Sequence, residues 1–223
     1  MVYNVRQYLD IFVVVDPCFL FLKPYKTTVA AQDAVATNAP DIKIRTAQAQ
    51  DLSQLADILA DSFHPPTGMM RWAQPILRLG IYEDLRHRVR SHSDHYLCLV
   101  AVSQVSSLTN TDEEIAGTVE IAVRSSPSWQ PQVSKCVYIS NLAVSQSCRR
   151  QGVAKQLLLA CDCTAKEWGF HQLSLHVLEN NYQARQLYLK TGYQLCKVEP
   201  SYGMWKLLRR PKRLLLQKNL ATT

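Results

Sequence analysis

The run Arg149-Arg150-Gln151-Gly152-Val153-Ala154 lies between an apolar stretch, VYISNLAV at residues 137–144, and an amphipathic one with Val153, Leu157, Leu158, Ala160 and Cys161 on its apolar side. A helix that starts just past a strand end presents unpaired backbone N–H groups there, and its dipole favours an anion. Small residues at Gly152 and Ala154 let that anion approach the backbone, and Arg149 and Arg150 add positive charge. Such a run suits a pyrophosphate. It is not a Walker A loop, because no Gly-Lys-Ser/Thr follows. An ordinary helix start with a basic first turn has the same composition, so a second motif must decide.

That motif stands further along: Asn180-Asn181-Tyr182-Gln183-Ala184-Arg185-Gln186-Leu187-Tyr188-Leu189-Lys190-Thr191-Gly192-Tyr193. With it the chain resembles the GNAT superfamily of N-acetyltransferases. R-x-x-G-x-A, with Arg149, Gly152 and Ala154, is similar to that family's acyl-CoA loop. N-x-x-A-x-x-L-Y-x-x-x-G-Y, with Asn181, Ala184, Leu187, Tyr188, Gly192 and Tyr193, is similar to its following helix. The segments FHPPTGMMRWAQ and YISNLAV resemble the cyanobacterial and plastid group of the superfamily.

The resemblance implies acetyl-CoA as acetyl donor and direct attack by a primary amine in a ternary complex. It implies that the fourth strand splays from the fifth and opens a slot for the pantetheine arm. Leu142, Ala143 and Val144 would pair with that arm through their backbone, and the amides from Arg150 through Gln151, Gly152, Val153 and Ala154 would hold the pyrophosphate. Asn181 would position the pantetheine or cap its helix. Tyr188 would donate a proton or hydrogen bond to the departing thiolate; a plain core aromatic is the other reading. For the proton acceptor, Glu120 on the third strand is one candidate, with a solvent-facing strand residue as its alternative. Tyr138 and His176 are another candidate pair, resembling a Tyr and His that hold a catalytic water in a subgroup of protein N-terminal acetyltransferases. A structural histidine in the sheet is the alternative for His176. The acceptor is expected to be a protein or peptide amine, at an N-terminus or a lysine. An arylalkylamine or polyamine is the runner-up, and a non-catalytic acyl-CoA-binding module comes third. Trp72, Tyr82 and Tyr202 are possible lining residues of the acceptor walls.

These side chains need a scaffold. The pattern predicts strands at residues 41–46, 96–103, 114–124, 137–144, 173–178, 193–198 and 202–208. Helices are predicted at 51–63, 69–90, 152–168 and 182–190, the first capped by Asp51 and the second kinked or divided at Pro75. The resulting fold class is α/β (α+β): a mixed sheet of about seven strands with helices on both faces and a parallel fourth and fifth strand.

Residues 1–40 read as an extension outside the main fold, residues 41–208 as the acetyltransferase domain, and residues 209–223 as a basic tail. The apolar run at residues 11–22 is broken by Asp16 and Pro17 and is too short for a membrane span. The tail holds five of the basic residues behind the net charge of +7 and no acidic one. The remainder is therefore nearly balanced, which argues against nucleic acid as the main partner. The tail is expected to be solvated, or to make a weak contact with a ribosome or another acidic surface. The seven cysteines include no CxxC pair and no zinc spacing. They read as free thiols with no metal, in the cytoplasm or alternatively a plastid stroma.

Overall fold

The computed structural model describes residues 42–63, 72–90, 95–106, 111–125, 135–199 and 211–220. Its strands are β1 (Ile42–Thr46), β2 (Tyr96–Ser106), β3 (Thr111–Ser125), β4 (Lys135–Val144), β5 (Gln172–Leu178), β6 (Gln194–Glu199) and β7 (Arg213–Asn219). They form one seven-stranded sheet in the order β1-β2-β3-β4-β5-β7-β6. Every neighbouring pair is antiparallel except β4 and β5, which are parallel, as their helical crossover requires.

The described helices are α1 (Leu52–Phe63), α2 (Gln74–Arg90), α3 (Val153–Glu167) and α4 (Tyr182–Lys190). Leu52, Leu55, Ile58 and Leu59 of α1, with Ile81 and Leu85 of α2, pack on one face of the sheet against Cys98, Val100, Val102 and Ile115. Val153, Leu157, Leu158 and Cys161 of α3, with Tyr188 of α4, pack on the other face against Val119, Ile121, Ile139 and Leu175. Alternation along each strand supplies both faces, because successive side chains point to opposite sides. The predicted two-faced architecture is therefore correct. Among the described residues no helix is long and apolar enough to cross a membrane.

Three expectations need correction. The strand expected at residues 202–208 lies outside the described residues, and the last described strand is β7, inside the stretch read as a tail. Leu214 and Leu216 are buried in the core and the intervening Leu215 turns to the other face. Period-2 burial of a Leu-Leu-Leu run outweighs the flanking charges, which reach outward on long stems. Arg213 lies opposite Glu199, and Lys218 pairs with Asp162 of α3 at 2.6 Å. Two of the five basic residues are thus built into the fold rather than left for a ribosome or an acidic surface.

Residues 69–71 of the helix expected at 69–90 lie outside the described residues, and in α2 Pro75 does not stand at an interior position. It is the second residue of α2, where the missing N–H has no intrahelical acceptor in any case. Asp51 ends a short 3-10 turn before α1, and its carboxylate reaches back to accept from the Gln48 amide at 2.7 Å and pair with Arg45 at 2.6 Å. The expected extension, residues 1–40, lies outside the described residues.

Candidate active site

β4 and β5 pair over only three residues each, Val137–Ile139 with Leu173–Leu175. β4 then runs on to Val144 and β5 to Leu178 without pairing to each other. On its other side β4 stays on β3, with a bulge: Glu120 opposes Ser140 while Thr118 opposes Ala143. One extra β4 residue is taken up there, and Asn141 adopts φ +52°. A bulge bends and twists its strand. Gly117 opposes Val144 just beyond, where an added Cβ would stand 2.7 Å from the Ala143 carbonyl oxygen. The two strands can approach this closely only because Gly117 has no side chain. The backbone of Leu142, Ala143 and Val144 thus edges an open fork between β4 and β5.

The loop from this fork to α3 has two left-handed residues, Arg150 at φ +65° and Gly152 at φ +84°. A Cβ on Gly152 would meet nothing within 4 Å, so it is the backbone angle, not space, that favours glycine. Gln156 N donates to the Gly152 carbonyl and closes the first helical turn. The amides of Val153, Ala154 and Lys155 precede it and so lack intrahelical acceptors. Arg149 Nε donates to the Val144 carbonyl at 3.3 Å and Gln151 Nε2 to the Ser147 carbonyl at 3.0 Å, so both side chains brace the loop itself. Open space over Gly152, left-handed backbone and a 15-residue helix start fit a pyrophosphate.

On the α3/α4 face, Asn181 caps α4: its Oδ1 accepts from the Ala184 amide at 3.2 Å. Tyr188 on α4 is 8% exposed and meets Tyr193 edge-on, with centroids 5.7 Å apart. Burial, with Tyr138 and Cys161 nearby, pushes the Tyr188 phenol well above its ordinary range, so it stays protonated.

On the α1/α2 face, the structure brings Tyr138 and His176 together. Tyr138 Oη lies 2.8 Å from His176 Nδ1 at the root of the fork. His176 Nε2 is 3.3 Å from Glu199 Oε2, without the alignment of a hydrogen bond. The Arg124 guanidinium covers the Tyr138 ring at 3.7 Å. Burial, then the positive charge of Arg213, lowers the His176 pKa below its usual 6.5, partly offset by Glu199. His176 is therefore neutral, and able to accept a proton, at pH 7.

Glu120 is not the solvent-facing residue weighed as its alternative role: it is 2% exposed. Its Oε2 accepts from Arg88 Nη1 at 2.5 Å and its Oε1 from Asn141 Nδ2 at 2.9 Å. Burial works against the Arg88 charge, but Glu120, Tyr96 and Asp84 outweigh it and raise the guanidinium pKa. Of the acceptor-wall candidates, Trp72 is exposed, Tyr82 is half-buried beside the α1/α2 core, and Tyr202 lies outside the described residues.

Sequence reasoning missed Arg88, Arg124, Asn141, Glu199 and Arg213. Asn141 alone left a trace, as a polar residue within an apolar strand. The others come from distant elements, and nothing in local spacing marks them.

A parallel strand fork, a helix start with left-handed backbone before it and a buried phenol on the next helix are the arrangement expected of an acyl-CoA-dependent acyltransferase. The chain belongs to the acetyltransferase (GNAT) family, whose model matches residues 55–193. It is an N-acetyltransferase that uses acetyl-CoA. It is 30% identical over 181 residues to GCN5-related N-acetyltransferase 10, chloroplastic, of Arabidopsis thaliana, covering 77% of this chain and 68% of that one. Among solved structures, Arabidopsis thaliana NAA60 in complex with acetyl-CoA superposes with a TM-score of 0.60 at 17% identity, over 80% of this chain and 98% of that one. The ribosomal-protein-S18-alanine N-acetyltransferase of Escherichia coli superposes with a TM-score of 0.51 at 15% identity, over 82% and 96%.

Proposed function

We propose that this enzyme acetylates protein or peptide amines, α-amines ahead of lysine side chains, with His176 and Tyr138 serving the proton transfer from the amine. The observation that carries the reading is the 2.8 Å contact between Tyr138 Oη and His176 Nδ1 at the root of the strand fork. Bound acetyl-CoA supplies the acetyl group as an activated thioester. The amides of Gln151, Gly152, Val153 and Ala154 hold its pyrophosphate, with Arg149 and Arg150 adding charge. The backbone of Leu142, Ala143 and Val144 orients the pantetheine arm, and Asn181, in capping α4, fixes the helix that bears Tyr188. Tyr188, kept protonated by burial, gives its proton to the departing sulfur.

The preference for α-amines follows from a proton balance. An α-amine has a pKa near 8 and lysine about 10.4, so neutralising the former at pH 7 costs about 3 kcal/mol less. A histidine suits the easier task. Arg124 and Arg213 beside this pair disfavour a polycationic acceptor such as a polyamine. The fold neighbour named for ribosomal-protein alanine acetylation is consistent with a polypeptide acceptor. The free thiols among the described residues, and relatives named chloroplastic, support a reducing compartment, either cytoplasm or plastid stroma.

A peptide library with free and blocked N-termini tests the reading. Acetylation of free N-termini, with little on blocked lysine peptides, is expected. An enzyme that ignores every peptide and acetylates a small arylalkylamine would overturn the acceptor and leave the donor site standing.

A further inference from the structure

The fork has a structural cause on the page. β4 leaves β5 immediately after Ile139, and the next residues are the bulge that contains left-handed Asn141. Had β4 stayed regular, its residues 140–144 would continue alongside β5 and the slot between the strands would close. A left-handed residue other than glycine is uncommon and persists where its surroundings hold it. Here the holder is visible. Asn141 Nδ2 donates to Glu120 Oε1 across the bulge, at 2.9 Å.

Glu120 is itself pinned. Its second oxygen takes Arg88 Nη1 at 2.5 Å, and Arg88 also bonds Asp84 one turn earlier on α2. The hydroxyl of half-buried Tyr96 of β2 lies near the same carboxylate, which helps keep that phenol protonated. A carboxylate that is 2% exposed is costly to bury without partners of this kind. Glu120 faces the α1/α2 side of the sheet, as Tyr138 does, two positions along β3 from the residue opposite Tyr138. Its oxygens are taken by a helix on one side and by the bulge on the other.

We propose that Glu120 is a positioning residue: a buried carboxylate, anchored by Arg88, that holds Asn141 and thereby the β4 bulge that opens the donor slot. The link runs from α2 through Arg88 and Glu120 to the bulge. It fixes the edge formed by Leu142, Ala143 and Val144. It acts on acetyl-CoA binding through that edge, and it is independent of which amine the enzyme acetylates.

Exchange of the two groups tests this. Glu120→Gln and Asn141→Asp each spoil the contact, the first by removing the charge and the second by setting two carboxylates against each other. Each is expected to weaken acetyl-CoA affinity in calorimetry by about tenfold, the worth of one charge-assisted hydrogen bond. The KM for acetyl-CoA should rise in step, with kcat at saturation little changed and the acid limb of the pH–rate profile retained. The double variant keeps one carboxylate and one amide with their places exchanged, and it should recover most of the affinity. Where Glu120→Gln does not melt cooperatively, Asn141→Gly keeps a backbone suited to φ +52° and should show the same loss of affinity. Unchanged acetyl-CoA affinity in folded Asn141→Gly and Asn141→Asp variants overturns the proposal. So does a Glu120→Gln variant with normal affinity, a collapsed kcat and a lost acid limb, which would make Glu120 the proton acceptor.

Discussion

Tyr188 and His176 are both removed from water, and burial acts on them in opposite senses. Burial raises the phenol, keeping it a proton donor, and lowers the imidazole, keeping it neutral. Tyr188→Phe keeps the ring and its contact with Tyr193. It is expected to lower kcat by about 10²–10⁴ with acetyl-CoA affinity little changed, read where chemistry limits the rate. For His176 the sign is definite. Its folded pKa lies below the ordinary 6.5, so the neutral form predominates above that value and is lost as the pH falls through the lowered one. The acid limb of kcat/KM on free-N-terminus peptides should therefore fall below pH 6.5. Arg213→Gln removes a positive neighbour and should move that limb up; Glu199→Gln removes a negative one and should move it down. Limbs that do not move, or that move the other way, would take His176 out of the proton path. His176→Phe should depress kcat/KM and leave acetyl-CoA binding intact.

At the scale of elements, the start of α3 and the start of α4 do different work. Gly152 combines φ +84° with open space, so a side chain there is strained at about 1–2 kcal/mol but tolerated sterically. Gly152→Glu places bulk and negative charge in the proposed pyrophosphate cradle. Calorimetry should find acetyl-CoA binding abolished in a protein that still melts cooperatively; a folded variant of normal affinity would refute the cradle. Asn181 works through its cap. Asn181→Ala should cost about 0.5–2 kcal/mol of stability. A fall in Tm with near-normal acetyl-CoA affinity would show that capping is its whole contribution. A loss of affinity at unchanged Tm would show direct contact with the pantetheine.

At the scale of the molecule, β7 lies between β5 and β6 and pairs with both. Without it, β6 has no partner among the described strands and Leu173 and Leu175 lose Leu214 and Leu216 from their core cluster. A chain ending at residue 208 is therefore expected to lose cooperative melting, whereas a basic tail could be removed at no cost. Lys218, which joins β7 to Asp162 of α3, adds a cross-layer tie to the same strand. Deletion of residues 1–40 should leave a folded, acetyl-CoA-binding domain, because the first described strand begins at Ile42. Loss of cooperative melting in that variant would show that the apolar run at residues 11–22 belongs to the fold.

Much of this was legible in the chain itself. Hydrophobic period set the strands and helices from Ile42 to Glu199, since burying one face is a local demand on spacing. The loop at residues 149–154 and the helix that bears Tyr188 are legible instead as motifs that resemble the family's, each a short run of sequence. β7 is hidden in the sequence because a basic composition suggests solvation, while Leu214 and Leu216 already alternate toward a core that only the sheet reveals. Residues 1–40 and Tyr202 fall outside the described structure. The motifs at residues 149–154 and 181–193, through their resemblance to the family's, pointed to a candidate donor site whose parts lie in short runs of sequence. Tertiary structure alone decided the charge environment of His176 and the burial of Glu120. Their partners arrive from α2, β3, β4, β6 and β7, and a pKa or an ion pair depends on distance in space rather than along the chain.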